Sequence, residues 1–167
     1  DYAEITACDL EGEGVEFCAR EFQALPVHSR PDLREVSFPQ PFDLVWVGSL
    51  FTHLPQAQWL ATLDRLISLT AECGILILTT HGRCYTSLLA RGRRDITGNI
   101  DVPSLLGQYA ADGFAYQPYL ESADGSYGVT ATSGEWLRGV LERNRDVIIR
   151  AHLEEAWGLQ DVLILYK

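Results

Sequence analysis

Two short apolar stretches decide the fold of this chain: FDLVWV at residues 42–47 and ILILTT at residues 75–80. Runs of this length and composition are typical of parallel strands that are buried on both faces of a sheet. Between them, Pro55 is well placed to open a helix, Trp59 lies on its apolar face, and Gly74 is placed to end it. The whole stretch therefore predicts a strand, a helix and a parallel strand joined by a right-handed crossover.

The same alternation of strand-like and helix-like segments extends upstream. Residues 5–10 (ITACDL) predict a strand and residues 24–29 (ALPVHS) predict a second one. Between them, Val15 and Phe22 belong to a set of apolar residues that recur at helical spacing. This part of the chain therefore predicts a strand, a loop, a helix and a strand.

Downstream, Ser133 can cap a helix, and two apolar runs follow it at residues 147–151 and 162–166. Only about ten residues separate these runs, too few for a helical crossover, so we expect an antiparallel pair. We predict an α/β fold whose sheet is mostly parallel and closes with an antiparallel terminal strand.

The pattern weakens at about residues 83–132, where we predict a lid or an insertion. Ser104 is a plausible cap for a short helix that ends at Gly113. This stretch holds five of the seven tyrosines, which could line a pocket or form a small satellite core: Tyr85, Tyr109, Tyr116, Tyr119 and Tyr127.

Composition excludes several classes of protein. The chain has 167 residues, 13 Lys and Arg against 23 Asp and Glu, and a net charge of −10, which argues against a nucleic-acid partner. No apolar stretch approaches the roughly 20 residues that span a bilayer, so no membrane partner is expected. The 4 cysteines form no CxxC pair, and we expect no metal site. They are interpreted as small buried residues in a reducing compartment, the cytoplasm.

Four segments, in this order, resemble the class I S-adenosylmethionine-dependent methyltransferases, and most closely the bacterial enzymes that act on small molecules. They are ACDLEGEGVEF at residues 7–17, FDLVWVGSLFTHLP at 42–55, GILILTTHG at 74–82 and WGLQDVLILYK at 157–167. The resemblance implies a Rossmann-like sheet of order 3-2-1-4-5-7-6 and S-adenosylmethionine as the cofactor. It implies a small-molecule or sugar acceptor.

The family's glycine-rich loop, which follows its first strand, has no counterpart in this chain. No GxGxG occurs, and Gly12 and Gly14 form only a GEG after what resembles the second strand. The chain has 0 methionines and opens at Asp1. We expect a single partial domain that lacks an upstream strand, glycine loop and helix of roughly 40 or more residues. That segment or a second copy of the chain is expected to pair with it, and the 167 residues alone are expected to bind the cofactor weakly and to be inactive.

The resemblance places cofactor contacts after the second and third strands of the family. Asp9 is expected to accept hydrogen bonds from both ribose hydroxyls, with Leu10 beside the adenosine. Ser29 stands where many members carry an acidic residue that faces the adenine. The alternatives are that Asp9 caps the following helix and that Ser29 belongs to an ordinary turn.

The loops after the two apolar strands supply the remaining candidates. Gly48, Ser49 and Leu50 are expected to face the cofactor, because ligands of open α/β sheets lie beyond the carboxyl ends of the strands. His53 and His81 are the candidates for a catalytic base that takes a proton from the acceptor. The alternative for each is a histidine that hydrogen-bonds to nearby backbone.

These observations favour methyl transfer to oxygen, and less strongly to nitrogen. A nicotinamide-dependent oxidoreductase is a second hypothesis, because an acid after the second strand also suits its ribose. A third is a methyltransferase-like module that binds a partner without catalysis. The cluster of Arg91, Arg93 and Arg94 could bind an anionic acceptor or form an exposed turn.

Overall fold

The structure is a computed structural model that describes residues 3–122 and 125–167. The chain divides into two compact units, residues 1–41 and residues 42–167. The expectation of one partial domain stays a prediction.

The first unit is built from the predicted strand, helix and strand. Its elements are β1 (Thr6–Asp9), α1 (Gly12–Phe22), β2 (Leu25–His28) and a 3₁₀ turn at Leu33–Glu35. β1 and β2 pair in parallel, with Thr6 opposite Leu25 and Asp9 opposite His28. Gln23 ends α1 in the left-handed conformation at φ 56°, and its N–H donates to the carbonyl of Cys18.

The second unit carries the larger sheet. Its elements are β3 (Phe42–Val47), α2 (Gln56–Leu69), β4 (Thr70–Thr80), α3 (Arg83–Ala90), α4 (Val102–Asp112), β5 (Phe114–Pro118), β6 (Gly128–Thr132), α5 (Gly134–Leu141), β7 (Ile148–Trp157) and β8 (Gln160–Tyr166). The main sheet has the order β3-β4-β8-β7, and β5 and β6 form a separate antiparallel pair.

The main sheet is mixed. β3 and β4 are parallel, as predicted, and β8 is antiparallel to both of its neighbours, β4 and β7. The expected α/β fold with an antiparallel C-terminal strand is confirmed, and one of the three strand pairs in this order is parallel, so the sheet is mixed and not clearly mostly parallel. The predicted antiparallel pairing of the last two strands is confirmed.

The two faces of this sheet differ sharply. On one face Leu76, Leu78, Leu163 and Leu165 are buried, and α2 and α5 contact the sheet. On the other face, residues that stand in register across the strands are exposed: Leu44, Trp46, Ile75, Ile148 and Tyr166.

The prediction that residues 42–47 are covered on both faces is therefore wrong. Trp46 is 52% exposed and does not lie in the core, whereas Trp59 is 0% exposed and the prediction for it is confirmed.

α2 ends earlier than predicted. Its last residue is Leu69, and Gly74 lies within β4 rather than at the helix end. The Nζ of Lys167 donates to the carbonyls of Ile67 and Thr70, at 3.0 and 2.8 Å. The Ile67 carbonyl also accepts from the N–H of Thr70, so Lys167 adds a second donor at the end of the helix. Lys167 is about 100 residues away from the helix end, so the sequence around α2 could not predict this contact.

The region predicted as a lid has a core of its own. α3, α4, β5 and β6 enclose six buried residues: Tyr85, Leu89, Val102, Leu105, Ala115 and Val129. The cap of α4 is Asp101, whose carboxylate accepts from the N–H of Ser104, so the choice of Ser104 as the cap is wrong. Gly113 ends α4 in the left-handed conformation, as predicted.

The cysteines are free, and none of them is fully buried. Cys8, Cys18 and Cys84 are half-buried and Cys73 is exposed, so their interpretation as buried residues is wrong. Within the described residues, no helix has the length and apolar character to cross a membrane. The same residues contain no group of three or more His, Cys, Asp or Glu side chains placed to hold a metal ion.

Candidate functional site

Two of the predicted cofactor residues meet where the strands of the first unit end. The N–H of Ser29 donates to the carbonyl of Asp9 at 2.8 Å. One carboxylate oxygen of Asp9, Oδ1, accepts from the N–H of Glu11 at 2.9 Å. No described residue donates to the second oxygen, Oδ2. Leu10 is 63% exposed, and the Ser29 hydroxyl donates to the carbonyl of Arg30.

The loop after β3 is held in an uncommon backbone conformation by a ring of hydrogen bonds. Ser49 has φ 58°, in the left-handed region. Its N–H donates to Thr79 Oγ1 at 2.8 Å, and its hydroxyl accepts from Gln160 Nε2 at 2.8 Å. Thr79 Oγ1 donates in turn to Gln160 Oε1 at 2.5 Å, and Thr52 Oγ1 donates to the Ser49 carbonyl. Sequence reasoning missed Thr79 and Gln160, because they act from strands β4 and β8.

Gly48 lies against an aromatic side chain. A Cβ at this position would stand 2.6 Å from the ring of Trp157, which also makes an edge contact with Trp46 at a centroid distance of 5.4 Å. The ring therefore fills the space beside the Gly48 backbone. Leu50, the last of the three loop candidates, is 37% exposed.

One edge of β6 runs past the two loops that carry the candidate histidines. The N–H groups of Gly128, Thr130 and Thr132 donate to the carbonyls of His53, Thr52 and His81. The neighbouring residues of β6 pair with β5 on the opposite edge. The hairpin thus fixes the loop after β3 and the loop after β4 against one strand.

His53 is tied to β6 by its ring as well as by its backbone. Nδ1 lies 2.7 Å from the carbonyl oxygen of Gly128, and the Tyr119 hydroxyl lies 3.4 Å from the same nitrogen. The ring stacks on Tyr127 at a centroid distance of 4.7 Å. Burial lowers the pKa of His53, and burial also raises the pKa of Tyr119 to about 12.

His81 is held in a similar way one loop further on. Its Nδ1 lies 3.2 Å from the carbonyl oxygen of Thr130, and its ring stacks on Tyr85 at 3.8 Å with an interplanar angle of 7°. Burial lowers the pKa of His81 to about 4, despite the hydrogen bond with Thr130. Both histidines thus hydrogen-bond to backbone, which is the alternative to a catalytic base. The second nitrogen of each ring, Nε2, has no hydrogen-bond partner among the described residues.

A buried carboxylate stands next to the His81 loop. Asp161 is 2% exposed and accepts from the N–H of Glu155 at 3.1 Å, and its Oδ2 lies 3.0 Å from His152 Nε2. A Cβ on Gly82 would overlap its Oδ2. Gly82 is therefore required for the close approach of the loop to Asp161, a relationship that the β8 sequence alone does not reveal.

The arginine cluster fits the exposed-turn alternative. Arg93 pairs with Asp95 at 2.7 Å, and Arg94 donates to the carbonyl of Leu89 at 3.3 Å. Both arginines are exposed. Each therefore has a partner within five residues along the chain.

No protein-family model matches the sequence, and no curated protein matches it significantly. Solved structures do match. A methyltransferase from Clostridium acetobutylicum aligns with a TM-score of 0.61 and 13% identity over 98% of this chain and 75% of its own. A methyltransferase from Methanosarcina mazei aligns with a TM-score of 0.57 and 15% identity, over 98% of this chain and 82% of its own.

The N-methyltransferase NodS from Bradyrhizobium japonicum, solved with S-adenosyl-L-homocysteine, aligns with a TM-score of 0.54 and 10% identity. The match covers 98% of this chain and 66% of NodS. The chain therefore has the α/β fold of S-adenosylmethionine-dependent methyltransferase structures, and its length corresponds to about two thirds to four fifths of theirs.

Proposed function

We propose that this chain is part of an S-adenosylmethionine-dependent methyltransferase that acts on a small-molecule acceptor. The observation that carries the proposal is the strand order β3-β4-β8-β7 with β8 reversed, in a chain that aligns over 98% of its length with such enzymes. Both oxygen and nitrogen acceptors are compatible with this fold. The sequence favours oxygen, in a metabolite or a sugar.

The residues of the first unit suit the ribose of the cofactor. Asp9 keeps one carboxylate oxygen without a donor among the described residues, and its other oxygen is fixed by Glu11. A carboxylate held in this way accepts strong charge-assisted hydrogen bonds from a diol. Ser29, whose N–H is bonded to the Asp9 carbonyl, presents its hydroxyl from the end of the neighbouring strand.

S-adenosylmethionine supplies an electrophilic methyl group when it is bound. In this proposal Asp9 and Leu10 bind the adenosine part, and the loop of Gly48, Ser49 and Leu50 supplies further cofactor contacts. That loop is preorganised by Thr79 and Gln160, so it would lose little conformational freedom on binding. His53 and His81 bind and orient the acceptor.

The proposal retains the expected upstream strand, glycine-rich loop and helix. Two observations support it. One face of the main sheet exposes Leu44, Trp46 and Ile148, where an α/β sheet is ordinarily covered by helices. The matched enzymes are also longer than the part that aligns with this chain.

The two other hypotheses have less support. A nicotinamide-dependent oxidoreductase would use Asp9 for the same ribose contact, but the reversed β8 between two strands of one direction argues against it. A methyltransferase-like module without catalysis predicts that the complete protein fails to bind S-adenosylmethionine.

Calorimetric titration of the complete gene product separates the three hypotheses. We expect S-adenosylmethionine and S-adenosylhomocysteine to bind, NAD not to bind, and the 167-residue chain alone to bind weakly. Asp9→Ala should weaken binding about 10- to 100-fold, because two hydrogen bonds to a charged group are lost. Asp32→Asn, in the same unit but paired with Arg34, is the control and should leave affinity unchanged.

Binding of NAD alone would favour the oxidoreductase. Binding of neither cofactor by the complete protein would favour the non-catalytic module. Unchanged affinity in Asp9→Ala would remove Asp9 from the site.

A further inference from the structure

A cleft of about 440 Å³ opens in the second unit, and the proposed reaction makes no use of it. Residues from α2, α4, β5 and α5 line it: Gln56, Gln108, Asp112, Phe114, Tyr116 and Trp136. None of these six belongs to the candidate cofactor contacts or to the candidate histidines. The volume is that of an ordinary small-molecule site.

Three of the lining residues are aromatic, and they adjoin one another. Phe114 and Tyr116 are two residues apart on β5, so their side chains lie on the same face of the strand. Trp136 contacts Phe114 at a centroid distance of 4.8 Å and an interplanar angle of 46°. Phe114 is buried, whereas Tyr116 and Trp136 are half-buried. The cleft therefore offers a ligand an aromatic surface.

The half-buried aromatic residues are held in place by hydrogen bonds. The N–H of Tyr116 donates to Gln108 Oε1 at 3.0 Å, and its hydroxyl donates to the carbonyl of Gly125 at 2.6 Å. The N–H of Trp136 donates to Ser133 Oγ at 3.1 Å, in the cap of α5. Because these positions are fixed beforehand, a ligand would order few groups when it binds.

The charge in the cleft is negative. Asp112, at the end of α4, is the one charged side chain among the described residues that line it, and it is exposed. No ion pair or side-chain hydrogen bond within residues 3–122 and 125–167 involves its carboxylate. The chain as a whole carries a net charge of −10. An anion would meet like charge here, whereas a cation would gain a partner.

We infer that this cleft binds a free small molecule that carries a methylated, permanently charged ammonium group. The faces of Trp and Tyr rings attract such a cation, and its methyl groups bury apolar surface against them. Asp112 supplies the opposite charge. The amide of Gln56, at the start of α2, can bond with a hydroxyl on the same molecule. This inference does not rest on the proposed function.

The test compares choline with 3,3-dimethylbutan-1-ol, an uncharged alcohol of the same shape. Both are titrated into the complete gene product, and the readout is the indole ¹⁵N and ¹H signal of Trp136, which is identified by its loss in Trp136→Phe. We expect choline to shift this signal and to bind at least about 10-fold more tightly than the alcohol. Methyl glucoside, an uncharged ligand that also suits aromatic and amide groups, should bind more weakly than choline.

Two variants and a control locate the site. Asp112→Asn removes the charge and keeps the shape, so it should abolish most of the preference for choline. Tyr116→Leu should weaken choline binding about 10-fold, because it removes an aromatic face. Asp64→Asn changes an exposed carboxylate of α2 that does not line the cleft, and it should leave choline binding unchanged.

Equal binding of the alcohol, no binding of choline, or an unchanged preference in Asp112→Asn would overturn the inference. Tighter binding of methyl glucoside would overturn it in favour of a sugar site. A trimethyllysine peptide and phosphatidylcholine vesicles carry the same group and should bind no more tightly than choline. Tighter binding of either would overturn the assignment to a free small molecule.

Discussion

The imidazole of His81 lies flat on the phenol ring of Tyr85, with centroids 3.8 Å apart and planes 7° apart. Tyr85 is 1% exposed, so this contact contributes to the burial that lowers the pKa of His81 to about 4. Tyr85→Leu opens this side of the ring to water, and we expect the His81 pKa to rise by one unit or more toward its ordinary value of 6.5. An NMR titration of the His81 ring measures it.

Tyr85→Phe is the matched control for this experiment. It keeps the stacked ring and removes only the hydroxyl, so the His81 pKa should stay near 4. A rise as large as that in Tyr85→Leu would show that the hydroxyl, not ring stacking, keeps the imidazole neutral.

The low pKa of His81 also predicts how stability depends on pH. The unfolded chain binds a proton at an ordinary pKa of 6.5 and the folded chain at about 4, so lowering the pH between these values favours unfolding. His81 should therefore remove up to about 3 kcal/mol of stability over this range. Urea unfolding at pH 7.5, 6 and 5 should show a smaller loss in His81→Gln than in the wild type. Equal losses would contradict the shifted pKa.

Substitution by alanine should have opposite effects on stability at Gly82 and at Gly107. In Gly82→Ala the new Cβ would overlap the buried carboxylate of Asp161, and we expect a loss of about 2 to 4 kcal/mol. Gly107 lies in α4 with nothing within 4 Å of an added Cβ, so Gly107→Ala should gain about 0.5 to 1 kcal/mol. Chemical denaturation measures both.

The cause of the Gly82 effect can be separated from backbone preference by a double-mutant cycle. If the overlap with Asp161 is responsible, Asp161→Ala should cost less in the Gly82→Ala background than in the wild type. Additive losses would show that the stability loss in Gly82→Ala does not come from the overlap with Asp161.

Thr79 and Thr80 allow a second matched comparison, between a buried hydroxyl that has hydrogen-bond partners and one that has none in the described part of the chain. Both threonines are 0% exposed, but Thr79 Oγ1 bonds with Ser49 and Gln160, whereas Thr80 Oγ1 has no partner among the described residues. Thr79→Val should cost about 1 to 3 kcal/mol, because it leaves two polar groups unpaired. Thr80→Val should be neutral or stabilising. Similar losses in both variants would argue against the network.

Trp46 and Trp59 should respond very differently to truncation. Trp59 contacts Phe51 and Trp136 at centroid distances of 4.7 and 5.0 Å, and Trp59→Ala should cost about 3 to 5 kcal/mol. Trp46→Ala should cost less than about 1.5 kcal/mol, since it loses an exposed edge contact with Trp157. A large loss in Trp46→Ala would mean that its face of the sheet is covered in solution.

Sequence periodicity predicted the strands and helices well where each element depends on its own residues. The limits of β3 at 42–47 and the antiparallel pairing of β7 with β8 follow from apolar runs and their spacing. Features that depend on distant residues were missed. Lys167 caps α2 from the other end of the chain, and the exposure of Trp46 depends on what covers its sheet face.

The site was predictable only in part for the same reason. The loop residues His53 and His81 could be found because they follow apolar strands. Their tautomer could not, because it is set by the carbonyls of Gly128 and Thr130, more than 40 residues away. Strand β6 contains GVTAT, which carries no motif, so its role appears only in three dimensions.

The attachment of both histidines to β6 has a consequence for how such a protein could diversify. The segment between β5 and β6 can change in length or composition while the β6 carbonyls still set the hydrogen positions on both rings. Variation in that hairpin connection, which carries Tyr119 and Tyr127, would change the surroundings of the His53 ring while both rings stay bonded to β6. New selectivity could then arise without new reactive groups.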